Sequence, residues 1–356
     1  MGKKKNSKKG TLKKALKNKK LMITASIILV FVVLVSTIII LYQSFNNPRV
    51  ISINNIEYDR NDYMIYLRIA KNELFDEDTT DLPDATLNMI ADKTTNITVE
   101  ELLKSKVEQS LKVAGAIETM AEKNNIYLDL EDIEKIESEK NKYISSLGGQ
   151  KKFDKFLKDN RTTEEAYDNM AKVDALYKKI YNNLYAEGKK LDLSDSEKEE
   201  IKKEYYLTYY KAKQIVFYIV DQDTKEPLIN SVIEQKKLLA ETVRTKITDI
   251  NKFDDFIKRY SDDAIGIEPP YDMYFTTDKV LKEVGDTVSR IREGEVSNVV
   301  KSTYAYHIIL KEKLDDGYLE ELYNEKREEK FLKALSDTID ESVIIIEDDF
   351  TSTIIK

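Results

Sequence analysis

Apolar and polar positions along this chain change rhythm several times, and the order of the changes sketches an architecture. From Leu21 to Tyr42 the run LMITASIILVFVVLVSTIIILY holds no charge over 22 positions, enough for a helix to span roughly 30 Å of hydrocarbon. VISINNIEY at residues 50–58 reads as two short β-prone runs around Asn54 and Asn55, and Tyr63, Leu67, Ala70 and Leu74 then recur on one helical face. Residues 76–97 are polar, contain Pro83 and have few periodic apolar positions, which predicts a loop or short helices. Thr98 with Glu101 makes a capping box, after which Leu102, Leu103, Val107, Leu111, Ala114, Ile117 and Met120 give a long amphipathic helix. Further helices are expected at about 131–145, 150–158 and 163–185, the last opened by Thr162 and Glu165 and all separated by Gly148, Gly149 and Asn160. Ser194 with Glu197 opens one more, to about residue 204.

Near Lys211 the rhythm becomes that of an α/β unit. QIVFYIV at residues 214–220 is a strand, Pro227 starts a helix carrying Ile229, Val232, Ile233, Val243 and Ile247, and Phe253–Tyr260 forms a second. After Pro269 and Pro270 come YDMYF, a helix near 278–291, the turn at Glu293, Gly294 and Glu295, and the strand-like runs VSNVV and YAYHIIL. Leu319, Leu322, Phe331, Leu332 and Leu335 mark a terminal helix. The β-branched VIII at 343–346 needs a strand partner, and the runs at residues 50–58 are the available one. The expected fold is therefore α+β and mostly helical: a basic tail (1–20), a transmembrane anchor (21–42), a helical domain (48–205) completed by residues 315–356, and an inserted α/β domain (206–314).

Charge sharpens this reading. Residues 1–20 hold ten lysines and no acid; without them the chain has 47 basic and 65 acidic residues, a net of −18. Positive charge before the apolar run and not after it puts the N-terminus in the cytoplasm and the remainder outside. A cleaved signal peptide has a shorter apolar core and a small-residue cleavage site, which Gln43, Ser44, Phe45 and Asn46 match poorly. The lysines could also dock on anionic lipid, at about 1 kcal/mol each. Such an acidic remainder repels nucleic acid, whose binding depends on Lys and Arg neutralising phosphates. The chain has no Cys, which excludes disulfides, thiolate metal sites, Cys nucleophiles and a Cys-linked lipid anchor. With His307 as the sole histidine, metal clusters and Ser-His-Asp hydrolysis have almost nothing to build on.

From about residue 50 onward the order of these runs resembles a parvulin-type foldase of the PrsA and SurA kind. FDDFIKRYSDDA resembles the family's Phe-led helix ending in Ser-Asp, REGEVSNVVKS its Gly-Glu-Val-Ser turn, and AYHIIL its Gly-Tyr-His-Ile-Ile strand. SINNIEYDRNDY and LLKSKVEQSLKVAGAIETMAEKNNIYLDLEDI resemble the helical chaperone domain upstream. The resemblance implies a peptidyl-prolyl cis-trans isomerase with His307 at the second active-site histidine, Asp263 at a position that is Cys or Asp in relatives, and Gln214 where the first strand usually carries histidine. Tyr304 replaces a small residue near the strand His. Phe275 matches an aromatic of the proline pocket, and Val280 and Val284 stand where Met and Phe are usual.

Each of these residues also has a structural reading: His307 as a hydrogen-bonded core residue, Asp263 as a helix-end acid, and Val280 and Val284 as packing valines. Gln214 cannot titrate, and two valines make a shallower cup, so weak or lost catalysis is an expectation too. Tyr205, Tyr206, Tyr209 and Tyr210 could contact an unfolded client or pack a domain junction. The implied function is an extracytoplasmic, membrane-anchored foldase for unfolded or newly secreted polypeptides, without metal or cofactor; a homodimer stays open. The alternative is a non-catalytic scaffold of an envelope complex.

Overall fold

The computed structural model describes residues 49–75, 81–264 and 271–347. The anchor expected at 21–42 lies outside them, and among the described residues no helix is long and apolar enough to cross a membrane. The chain divides into two compact units, one comprising residues up to Asn183 together with those from Phe331 onward, the other Leu184–Lys330.

The first unit opens with strands β1 (Arg49–Ile53) and β2 (Ile56–Asp59), followed by helix α1 (Arg60–Phe75). The segment read as a loop or short helices contains a single-turn helix, α2 (Asp84–Leu87), and a small hairpin, not anticipated, of β3 (Ile90–Asp92) and β4 (Ile97–Thr98). The capping box at Thr98 and Glu101 is present and starts α3 (Val99–Lys123). Helix α4 (Leu130–Ser146) starts at a box the sequence reading missed, Asp129 with Asp132. After α5 (Gln150–Asp159), α6 (Glu164–Ile180) begins one residue later than expected. Its N-cap is Thr163, which accepts from the Ala166 N–H, while the Thr162 hydroxyl donates to the Asn61 carbonyl across the unit.

In the second unit, α7 (Asp195–Thr208), opened by Ser194 and Glu197, leads directly into β5 (Tyr209–Tyr218). Next come α8 (Asn230–Lys246), α9 (Phe253–Tyr260), β6 (Met273–Thr276), α10 (Lys282–Arg290), β7 (Val300–Lys301) and β8 (Ala305–Glu312). The sheet order is β6-β5-β8-β7, all antiparallel. Of the expected VSNVV strand only Val300 joins the ladder, with Val296 making an isolated bridge to Leu310. Of the tyrosine run, Tyr205, Tyr209 and Tyr210 pack within this unit, while Tyr206 is exposed and donates its hydroxyl to Asp316. Tyr205 is buried with Leu319 and Leu322, donates to the Asp315 carbonyl, and packs at a tilt against Tyr209, which in turn meets Tyr318. These rings fasten α7 and the start of α11 (Leu319–Glu341) to the sheet, so the contact boundary falls at residues 184 and 330, not at 206 and 314.

The chain returns to the first unit and ends its described part in β9 (Ile344–Ile346). That strand pairs antiparallel with β1, Ile51 opposite Ile346 and Ile53 opposite Ile344, as the β-branched run required. Asn54, in the left-handed region at φ 54°, clasps the join. Its backbone N–H donates to the Val343 carbonyl, its Oδ1 accepts from the Val343 N–H, and its amide donates to the Thr119 and Ser342 hydroxyls. Behind β1 the fully buried Ile53 lies against α3 at Gly115, where an added Cβ would stand 2.7 Å from the Ile53 Cβ. Alanine favours a helix interior by about 1 kcal/mol over glycine, but overpacking costs about 1–3 kcal/mol. Gly115→Ala is therefore expected to lower stability by about 1–2 kcal/mol in urea unfolding; a stabilised variant would show that this helix–strand approach is slack.

Candidate functional site

The site follows from the alternation of side chains along two paired strands. In β5, Ile215 and Phe217 enter a core under α8 and α9 with Tyr306, Ile308 and Leu310 of β8. Ala212, Gln214, Val216 and Tyr218 must then face the other way. Residues directly opposite across an antiparallel pair share a face, so Val216↔His307 and Tyr218↔Ala305 bring His307 and Ala305 to the same side. Helix α10 covers one end of that side, over a small core of Ala212, Phe275, Val284, Val288 and Ile309. The rest is an open cleft of about 450 Å3, whose walls include Gln214, Val216, Tyr218, Asp263, Leu281, Tyr304 and His307.

His307 is 4% exposed and both ring nitrogens are engaged. Nδ1 lies 3.1 Å from Gln214 Oε1 and Nε2 lies 2.9 Å from Ser302 Oγ. The Gln214 carbonyl can only accept, which assigns the proton to Nδ1. Ser302 Oγ accepts from the Tyr304 and Ala305 N–H groups, at 3.2 and 3.1 Å, and of the two acceptors near its own proton, the Ala305 carbonyl at 3.2 Å and the bare Nε2 at 2.9 Å, Nε2 is the nearer. Burial lowers the imidazole to about 4, opposed weakly by Glu283. The ring is therefore neutral near pH 7, oriented at both ends, and has no proton to exchange with a substrate. The Gln214 amide nitrogen meets Met273 Sδ at 3.9 Å, a weak acceptor that leaves donor capacity toward the cleft.

Asp263 lines the same cleft but does not join this pair. Past Ala212 strand β6 no longer covers the edge of β5, so two buried N–H groups need partners. Ser261 Oγ accepts from the Val216 N–H at 2.8 Å and donates to Asp263 Oδ1 at 2.6 Å; Asp262 accepts from the Tyr218 N–H and from Lys236. Burial raises the Asp263 carboxyl, against the Ser261 bond, which lowers it. The expected network of His307, Asp263 and Gln214 is thus two separate groups on one cleft wall.

The expected proline cup is also placed differently. Phe275 and Val284 are 7% and 5% exposed inside the core under α10, and Val280 packs against that same core. Val284 sits on the inner face of α10 with Val288, while Val280 lies in the segment before the helix and meets the same core from there. Tyr304, 44% exposed, stands at the cleft wall. Ser302 and Ser261 were not singled out in the sequence. Their signal is faint, a hydroxyl five residues before the strand histidine and another directly after a Phe-led helix.

A family model described as the PPIC-type PPIASE domain matches residues 198–313, which include every cleft residue named above. The second unit thus carries a parvulin-type peptidyl-prolyl isomerase domain. Among known proteins, the foldase protein PrsA of Staphylococcus aureus (strain bovine RF122 / ET3-1) is 27% identical over 244 residues, 67% of this chain and 70% of that one. PrsA of strain Newman matches to the same extent. The crystal structure of the foldase PrsA from Lactococcus lactis is 15% identical, covering 85% of this chain and 95% of that chain at a TM-score of 0.35. The resemblance read from the sequence holds: the chain carries a PPIC-type domain and is similar to PrsA foldases.

A histidine held neutral in the fold but free to charge when unfolded makes stability depend on pH. Above its ordinary value of 6.5 it is neutral in both states and contributes no slope. As pH falls from 6.5 toward 4 the unfolded chain takes the proton first, so stability drops, by about 3 kcal/mol in all; below about 4 both states are protonated and the slope ends. Urea unfolding at pH 7 and pH 4 is expected to show the parent losing about 3 kcal/mol more than His307→Gln. Equal losses would mean that the ring is not held neutral.

Proposed function

We propose that this chain is an extracytoplasmic foldase, anchored by residues 21–42, whose helical unit binds unfolded exported polypeptides and whose cleft speeds Xaa-Pro isomerisation. The observation that carries the reading is the coincidence of the parvulin domain match at 198–313 with the one described cleft in which His307, Gln214, Asp263 and Tyr304 meet.

Isomerisation makes and breaks no covalent bond; its barrier, about 18–20 kcal/mol, is the lost resonance of the amide. A catalyst lowers it by removing water from the imide and placing fixed dipoles where the rotating carbonyl needs them. In our reading His307 is a rigid wall that holds the Gln214 carboxamide, and Gln214 and the Asp263 carboxyl are the polar groups facing the imide. No proton transfer is required, in keeping with a ring whose two nitrogens are both engaged.

Two experiments bear on this. A protease-coupled isomerisation assay is expected to show activity in the parent and a loss of about 100-fold in His307→Ala, the scale of removing one preorganised polar group; equal background rates would remove the enzymatic part. Aggregation of a denatured secreted client should still be suppressed by His307→Ala, because chaperone binding is assigned to the other unit. In intact spheroplasts external protease is expected to digest epitopes between residues 49 and 347. Their protection would overturn the topology.

A further inference from the structure

The cleft has an apolar side that the family's usual residues do not supply. With Phe275, Val280 and Val284 turned into the core under α10, a proline ring entering the cleft would meet Leu281 and Tyr304, 38% and 44% exposed on its wall. Both are held by their backbones. The Leu281 carbonyl accepts the N–H groups of Val284 and Gly285, each at 2.9 Å, as the first acceptor of α10. Tyr304 donates its N–H to Ser302 Oγ and accepts the Ile219 N–H at 2.9 Å. Two exposed apolar side chains on pinned backbones, beside a buried neutral histidine, extend an apolar wall that includes Val216, Val220 and Ala305.

We propose that the proline ring of an Xaa-Pro segment is held between Leu281 and the aromatic ring of Tyr304, so that the ring-binding subsite has moved outward by one residue from the positions of Val280 and Val284. Leu281, just before the first turn of α10, is the apolar side chain of that stretch that lines the cleft, whereas Val280 and Val284 do not. Tyr304 then acts through its ring, not its hydroxyl. This assignment rests on the isomerase reading above.

The test uses the full-length chain in detergent with a blocked Ala-Ala-Pro-Phe tetrapeptide and its Ala-Ala-Ala-Phe counterpart, reading peptide affinity by NMR shift titration and turnover by the coupled assay. Leu281→Ala and Tyr304→Ala are each expected to weaken proline-peptide binding and raise KM about tenfold, the discrimination a few buried methylenes supply, with kcat little changed. Leu281→Met and Tyr304→Phe should keep parent affinity, as should Leu238→Ala on exposed α8 across the sheet. Alanine variants that stay within twofold of the parent, while the parent binds and turns over the peptide, would overturn the subsite and leave the isomerase reading standing. Tyr304→Phe falling as far as Tyr304→Ala would overturn the ring contact in favour of the hydroxyl. A parent that binds neither peptide and shows no turnover would overturn both the subsite and the isomerase reading.

Discussion

The second unit depends on one ladder, the antiparallel pairing of β5 with β8 from Lys211 opposite Glu312 to Tyr218 opposite Ala305. Side chains alternate along each strand, so this register alone decides which groups reach the core and which reach the cleft. As paired, Ile215, Phe217, Tyr306, Ile308 and Leu310 are inside, and Gln214, Val216 and His307 face α10 and the open space. A slip of one residue on either strand would drive Gln214 or His307 into the apolar core and an isoleucine into the cleft. Burying an unpaired polar group costs a few kcal/mol, so the register is enforced from both faces.

The same ladder creates a demand that the loops meet. His307 can be buried only if both ring nitrogens have partners, and Val216 and Tyr218, beyond the end of β6, only if their N–H groups do. Ser302 and Gln214 satisfy the first requirement; Ser261 and Asp262 satisfy the second. The site is therefore not a set of residues added to a finished fold. Removing Ser302 would expose two backbone N–H groups and one imidazole nitrogen at once, which ties the orientation of the histidine to the turn between β7 and β8.

How far the sequence disclosed this depends on the range of the forces involved. Caps are local, and the boxes at Thr98 with Glu101 and Ser194 with Glu197 stand where they were read. The pairing of β1 with the terminal VIII run was also legible, because an isolated β-branched strand has to find an edge. Helix phase was not: where α10 starts decides that Val284 turns into the core while Leu281, one residue before the helix, lines the cleft. The tyrosines at 205–210 could not be assigned either, since Tyr205 is buried by Leu319 and Leu322 more than a hundred residues away. The hydroxyls of Ser261 and Ser302 matter through backbone groups that have no letter in the sequence.

Gln214 is the residue whose meaning changes most on passing from sequence to structure. As a letter, a glutamine where relatives carry histidine suggests a site that has lost a titratable group. In the fold its carbonyl fixes the Nδ1–H form of His307, and its amide remains a donor next to a soft sulfur acceptor. A second imidazole there would have to keep a bare nitrogen toward His307, which is possible in one tautomer and fails once that second ring is protonated. The carboxamide offers an acceptor at every pH. For a reaction that moves no proton, a neutral pair that cannot titrate costs the chemistry nothing and spares the fold the burial of a charge. The departure from the family pattern is thus compatible with function on the same ground that makes prolyl isomerisation unusual, a barrier made of resonance and solvation alone.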